Sequence, residues 1–356
     1  MNKKLRVVSA IRHEEPDRVP KGDLAIENGL LRALIGEEQY NRSTDYERQL
    51  AARRVLGADL IDIHQFPMEE VGQDDRGYPV YLSALGDEHV ITEGSSQLVK
   101  PAIGDISDAA SYSVPDLGLC RTEMLDWFRD HSDLFLFCQI GGPVSSLDWM
   151  LGTEDFLVWC MTNTDQIIAL AEKVMEFEVG RAKIFLDHGA DAILMADDIA
   201  YNSGLFLPPR IMERFVYPLW ADAVSRIKAH RDVPVFLHTD GDIRTALAEI
   251  VECGFDGLQS LQPSAGMDIE QVKRDYGDRL CLMGNLDLDR LLPFGTPEEV
   301  EAQVRRLCEK IAPGGGFILS TCNILIDAVP PENALAMYRA AEKYGSHELG
   351  VASDAG

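Results

Sequence analysis

The chain has 356 residues, 46% of them apolar and 26% charged, which places it among globular proteins and excludes the disordered and fibrous classes. Its 33 Lys and Arg against 59 Asp and Glu give a net charge of −26, so nucleic acid and anionic membrane surfaces are excluded as partners, and a polyanionic substrate is disfavoured. No stretch reaches the roughly 18 apolar residues of a membrane span, and the seven cysteines (120, 138, 160, 253, 281, 308 and 322) are scattered and odd in number, which fits a reducing cytoplasm.

The start, Met1-Asn2-Lys3-Lys4-Leu5-Arg6, carries the charge of a signal-peptide head, but Arg12-His13-Glu14-Glu15 breaks the apolar stretch behind it, so no export is expected. From there a unit recurs: a short β-branched or apolar run ending in Gly or a polar residue, then a helix with 3.6-residue spacing. This is the βαβ signature of a parallel sheet. Eight strands are expected, over about 18–26, 59–64, 134–141, 191–197, 233–238, 255–261, 279–285 and 316–321.

Residues 66–119 are too long for a simple connection and contain Asp74-Asp75-Arg76-Gly77, a turn signal, so a β-hairpin insertion after the second strand is expected over the mouth of the sheet. Thr296-Pro297-Glu298-Glu299 reads as a helix start with a Thr cap and Pro in the first turn. Val300, Val304, Leu307, Cys308 and Ile311 then form one apolar stripe, which makes Cys308 core.

A doubly wound sheet usually has five or six strands and a Gly-rich phosphate turn, which is missing here; Gly314-Gly315-Gly316 precedes a strand and reads as an αβ turn. The expected architecture is therefore α/β, a single (β/α)8 TIM barrel over 1–346 with a flexible tail at 347–356.

Catalytic groups in such a barrel come from strand ends. Val235-Phe236-Leu237-His238-Thr239-Asp240-Gly241-Asp242 ends an apolar strand in a His and an Asp two residues apart, which period-two geometry sends the same way; Asp242 suits a capping role. Thr321-Cys322-Asn323 closes the last strand with a thiol, and His238, Asp240 and Cys322 in one mouth make a candidate ligand set for zinc, which accepts N, O and S donors. Asp197-Asp198 ends the fourth strand; one acid faces the interior, and Asp198 is preferred for a general acid/base role, with Asp240 as its catalytic companion. Glu27, Asp197, Gln262 and Asn285 are expected to contact substrate.

The order Glu15-Pro16-Asp17-Arg18-Val19-Pro20, Gly142-Pro143, Asp197-Asp198, His238-Thr239-Asp240-Gly241, Gly284-Asn285-Leu286-Asp287 and Pro331-Glu332-Asn333 resembles the uroporphyrinogen decarboxylase superfamily along nearly the whole chain. The resemblance implies a (β/α)8 barrel and two rival activities. Decarboxylases of the superfamily carry Arg-Gln-Ala-Gly-Arg after the first strand, to grip porphyrinogen carboxylates; here that place reads Lys21-Gly22-Asp23-Leu24-Ala25-Ile26-Glu27-Asn28. The corrinoid-dependent methyltransferase branch is more similar. Its zinc ligands are a His-x-Cys pair after the fifth strand and a Cys after the eighth, which His238 and Cys322 match, with Asp240 in place of the middle Cys.

A carboxylate in that place makes zinc harder and a stronger Lewis acid, suited to an oxygen-linked substrate. The expectation is a zinc enzyme that moves a methyl group between a small methyl donor and the corrinoid (cobalamin) of a partner protein. The alternatives are a decarboxylase-type lyase and a thiol methyltransferase, and a homodimer is among the expectations.

Overall fold

The structure, a computed structural model, describes residues 1–92 and 95–346; the expected tail at 347–356 lies outside the described residues. Thirteen strands occur among these residues, in chain order β1 (Leu60–Ile63), β2 (Met68–Gln73), β3 (Pro79–Ser83), β4 (Glu88–Thr92), β5 (Ser95–Lys100), β6 (Phe135–Gly141), β7 (Ala192–Ala196), β8 (Ala200–Tyr201), β9 (Gly204–Leu205), β10 (Val235–Thr239), β11 (Gly257–Ser260), β12 (Cys281–Leu286) and β13 (Phe317–Thr321). Seven of them form one parallel sheet in the order β1-β6-β7-β10-β11-β12-β13, helices filling the crossovers.

The stretch expected as a first strand, 18–26, is not one. Leu319 N–H bonds Pro20 O (2.9 Å), Gly22 N–H bonds Leu319 O (3.0 Å) and Asp59 N–H bonds Lys21 O (2.8 Å), so this segment touches β13 on one side and the start of β1 on the other. A regular ladder fails for two reasons. Pro20 has no N–H to give, and the Lys21 N–H goes to the Asp59 carboxylate (3.1 Å). The seven-stranded sheet thus curls, and the irregular 18–26 segment hydrogen-bonds to β13 and to the residue before β1.

Alternation along the strands divides the core. Leu60, Phe135, Phe137, Leu194, Phe236, Met283 and Ile318 point inward and pack together with Leu24, while Leu136, Cys138, Ile193, Met195, Val235 and Leu237 join the larger cluster under the helices. Inside the curl the apolar rows fill the bottom, so polar residues further along the same rows gather at the carboxyl ends.

The 66–119 stretch differs from a single hairpin. It holds a four-stranded antiparallel sheet, β2-β3-β4-β5, with the Asp74–Tyr78 turn between its first two strands. The Pro297–Lys310 helix begins with a Thr296–Glu299 capping box and Pro in its first turn, and Cys308 is buried on its core face. No helix among the described residues is long and apolar enough to cross a membrane.

Candidate functional site

Two inward rows end in the site. On β7 the row Leu194, Ala196 continues to Asp198, and on β10 the row Phe236, His238 continues to Asp240; the strands lie side by side with His238 opposite Ala196. The donor atoms of Asp198, His238 and Asp240 all fall within 4.8 Å of one another. His238 Nε2 stands 4.0 Å from Asp198 Oδ1, too far for a hydrogen bond and near the roughly 3.4 Å that separates two ligands of one tetrahedral zinc.

Each member is held from behind. The buried His238 ring turns Nδ1 onto Gln259 Oε1, so Nδ1 carries the proton and the Nε2 lone pair faces the other two donors. Asp240 accepts from Ser260 Oγ at 2.5 Å and from Asn323 Nδ2 at 2.7 Å, while its own N–H bonds Asp198 Oδ1 at 2.9 Å. Asp198 N–H bonds Ser145 Oγ at 2.7 Å. The turn that follows needs Gly241, whose φ is +87° and whose added Cβ would sit 2.5 Å from Ala200 O.

Several residues expected in the site lie outside this cluster. Cys322 does not join the group, and Asp198 takes the third place. Strand β13 ends at Thr321 and the chain bends at Cys322–Asn323, so alternation stops and the Asn323 amide reaches Asp240 instead. The thiol is buried, with its pKa pushed up to about 12 by that burial. Asp197 faces away from the cavity, as its odd place on the row requires. It is fully buried, accepting from Ser145 N–H and Trp220 Nε1–H, both at 2.7 Å, and burial raises its pKa to about 7.

The remaining expected substrate contacts also lie elsewhere. Glu27 accepts from Asp327 N–H at 2.5 Å, Gln262 is spent on Gly241 N–H at 2.9 Å and Ser264 Oγ at 2.8 Å, and Asn285 donates to Leu261 O at 2.5 Å. Asn285 adopts φ +78° and lines a separate groove with Asp287, Arg290 and Arg306.

Asp198 and His238 open onto a cavity of about 840 Å3. Phe66, Met68, Leu85 and Ile91, from the segment around the antiparallel sheet, form one wall with Met124, Ile140, Trp149 and Phe206. The same cavity is lined by polar residues that strand-end reasoning passed over: Asp62 and His64 from the β1 row, and Arg53, Glu178 and Arg181 from helices.

Burial raises the Asp62 pKa to about 8, against the pull of Arg53, and the Asp62 Oδ1 atom has no partner among the described residues. His64 lies deep in the molecule yet its ring is open to the cavity; that depth and the Arg181 guanidinium lower its pKa to about 4. Glu178 pairs with Arg181 at 2.6 Å and accepts Gly141 N–H at 2.9 Å. Asp62 and His64 repeat the His238/Asp240 spacing at a strand end, so that signal was readable; nothing in the helix pattern marks Glu178 or Arg181.

A curled parallel sheet with polar side chains converging at its carboxyl ends is the architecture of barrel-type α/β proteins. The chain belongs to the uroporphyrinogen decarboxylase (URO-D) family, whose profile matches residues 79–344. It is 26% identical over 203 residues to the methylcobamide:CoM methyltransferase MtaA of Methanosarcina barkeri, covering 57% of this chain and 56% of that protein.

It is also 30% identical over 152 residues to a uroporphyrinogen decarboxylase of Chlorobium luteolum, covering 42% of this chain and 40% of that one. The chain spans about half the length of the curated relatives it matches. A solved methyltransferase from Methanosarcina mazei superposes with a TM-score of 0.75 over 97% of this chain and 99% of that chain, at 21% sequence identity; the two share a fold.

Proposed function

We propose that this protein is a methyltransferase that moves a methyl group between a small, oxygen-linked methyl donor and the corrinoid of a partner protein, and that zinc serves it at Asp198, His238 and Asp240. The full (β/α)8 barrel, with the 18–26 segment as its eighth stave, is part of the same reading. One observation carries it: three donors of compatible chemistry converge, two of them, Asp198 and His238, lining a largely apolar cavity, in a family with methylcobamide:CoM methyltransferases among its matched relatives.

The residues fit a metal ion. The imidazole has its outer nitrogen satisfied by Gln259, and both carboxylates are fixed by donors on their flanks. When bound, zinc in this His-and-carboxylate set supplies Lewis acidity at an ether or hydroxyl oxygen, more than a thiolate-rich set does.

The chain's own residues do the rest. Gln259 sets the His238 tautomer, Ser260 and Asn323 keep both Asp240 oxygens in place, and Asp240 N–H and Ser145 hold Asp198. Met68, Met124, Trp149 and Phe206 present apolar surface to the donor and keep water from the reacting methyl. Asp198, nearly half exposed and set apart from the buried His238, is the group best placed to exchange a proton with the donor oxygen.

The test is methyl transfer to cob(I)alamin, followed by the cobalamin visible spectrum, with elemental analysis of the same protein. The expected result is about one zinc per chain and donor-dependent methylcobalamin formation. Cys322→Ser is expected to leave zinc content unchanged. Metal-free protein of full activity, or zinc lost with the Cys322 thiol, overturns the assignment.

A further inference from the structure

The cavity has two poles. One holds the acids Asp148 and Asp198 with His238; the other, from the far side of β6 in the sheet order, holds Asp62 and His64 with Arg53 and Arg181 beside them. The second pole is rich in hydrogen-bond capacity that the fold does not consume. Asp62 is only 5% exposed, lines the cavity and leaves Oδ1 without a partner among the described residues. Arg53 and Arg181 spend their terminal nitrogens on Gln49, Asp23 O, Leu24 O, Glu178 and Gln65 O, and each keeps a buried Nε–H unpaired. Neither ring nitrogen of His64 forms a hydrogen bond among the described residues. Unmade hydrogen bonds at buried atoms, here those of Asp62, Arg53 and Arg181, cost about 1–3 kcal/mol each, so a cluster of them on residues that line a cavity, with the open His64 ring beside them, points to a ligand.

The protonation states sort donors from acceptors. Asp62, with its pKa raised to about 8 by burial, carries its proton at neutral pH and donates; His64, lowered to about 4, is neutral with one N–H. Glu178 is the acid beside them; Arg181 and Gly141 N–H both engage its Oε2, and its Oε1 has no partner among the described residues. Asp23 turns its carboxylate away, onto Ser320, Thr321 and Tyr338. The pole therefore offers mainly N–H and O–H groups next to two guanidiniums, which is the complement of a carboxylate.

We propose that the Arg53, Asp62, His64 and Arg181 end of the cavity binds the carboxylate of an amphipathic methyl donor whose methyl-bearing oxygen lies at the Asp198, His238 and Asp240 end; the inference rests on the methyl-transfer reading above. The cavity's apolar lining, which includes Phe66, Met124, Trp149 and Phe206, suits an apolar, ring-sized body, and about 840 Å3 is ample room for one.

The experiment is calorimetric titration of the intact protein with 4-methoxybenzoate and its neutral isostere 4-methoxybenzamide, with Tm recorded for every variant. The benzoate is expected to bind at least about tenfold more tightly. His64→Leu, at a position open to the cavity, is expected to reduce that preference to below about threefold, and His64→Gln, which restores an N–H, to recover part of it. Equal affinity for the two probes, binding of neither, or a preference untouched in His64→Leu overturns the proposal. Binding is read without turnover. An intact carboxylate preference with no methyl transfer to cob(I)alamin would therefore sink the methyl-transfer reading and leave carboxylate recognition standing, and transfer without preference would do the reverse.

Discussion

Asp240 is fixed at three atoms, by Ser260 Oγ, Asn323 Nδ2 and the bond from its own N–H to Asp198, so its carboxylate loses little freedom when it takes a ligand. Asp240→Ala strands those donors and removes one ligand: zinc content and methyl transfer are both expected to fall, the rate by about a hundredfold or more, as read by elemental analysis and the cobalamin spectrum. Asp240→Cys is expected to hold zinc at least as tightly while transfer from an oxygen-linked donor slows, because thiolate softens the ion. An unchanged rate in Asp240→Ala would remove this carboxylate from the site.

Asp62 predicts a pH effect. Its folded pKa, about 8, lies above the ordinary carboxyl value. The folded protein therefore holds a proton the unfolded chain releases, and stability present below about pH 4 is lost as pH rises towards 8. Asp62→Asn removes that ionisation, so its stability relative to the parent should grow by about 2–4 kcal/mol from pH 4 to pH 8, measured by denaturant melts. A pH-independent difference would show that Asp62 ionises normally.

At the scale of elements, one crossover aligns the site. Asp197 at the end of β7 caps the Pro143–Leu151 helix through Ser145 N–H and is braced by Trp220, while Ser145 in turn holds Asp198. Gly142 makes the contact possible, since an added Cβ would lie 2.3 Å from the Asp197 side chain. Asp197→Ala leaves the Trp220 and Ser145 donors buried without an acceptor; a loss of roughly 2–4 kcal/mol in unfolding free energy is expected, together with reduced zinc content because Ser145 shifts. A variant as stable as the parent would show that the helix start is held by other contacts.

For the whole molecule, the charge of −26 and the absence of arginine from the 21–28 segment argue the same way. Lys21, the one cation of the 21–28 segment, is fully buried, donating to Tyr338 O at 2.9 Å and Glu342 at 2.7 Å, and Asp23 is locked onto Tyr338. With no free cation there, that segment offers no clamp to a substrate carrying eight carboxylates, and the cavity's Arg53 and Arg181 suffice for one carboxylate. No carbon dioxide release from uroporphyrinogen is expected in a coupled assay, and turnover at an ordinary enzymatic rate would refute the methyltransferase reading.

Local pattern alone was enough for the alternation of strands and helices, the seven parallel strands, the Thr296 cap and the convergence of His238 and Asp240, because each depends on period-two or period-3.6 geometry within a single segment. Where a chain leaves regular geometry, that logic stops. The stave at 18–26 is irregular because a side chain from Asp59 takes a backbone donor, and Cys322 leaves the site because the chain bends at the end of β13. The choice between Asp197 and Asp198 lay within reach of alternation; that Asp197 would serve a helix end and Trp220 did not. Arg53, Glu178 and Arg181 come from helices far apart in sequence, and only the packing of those helices against the curled sheet brings them to the cavity.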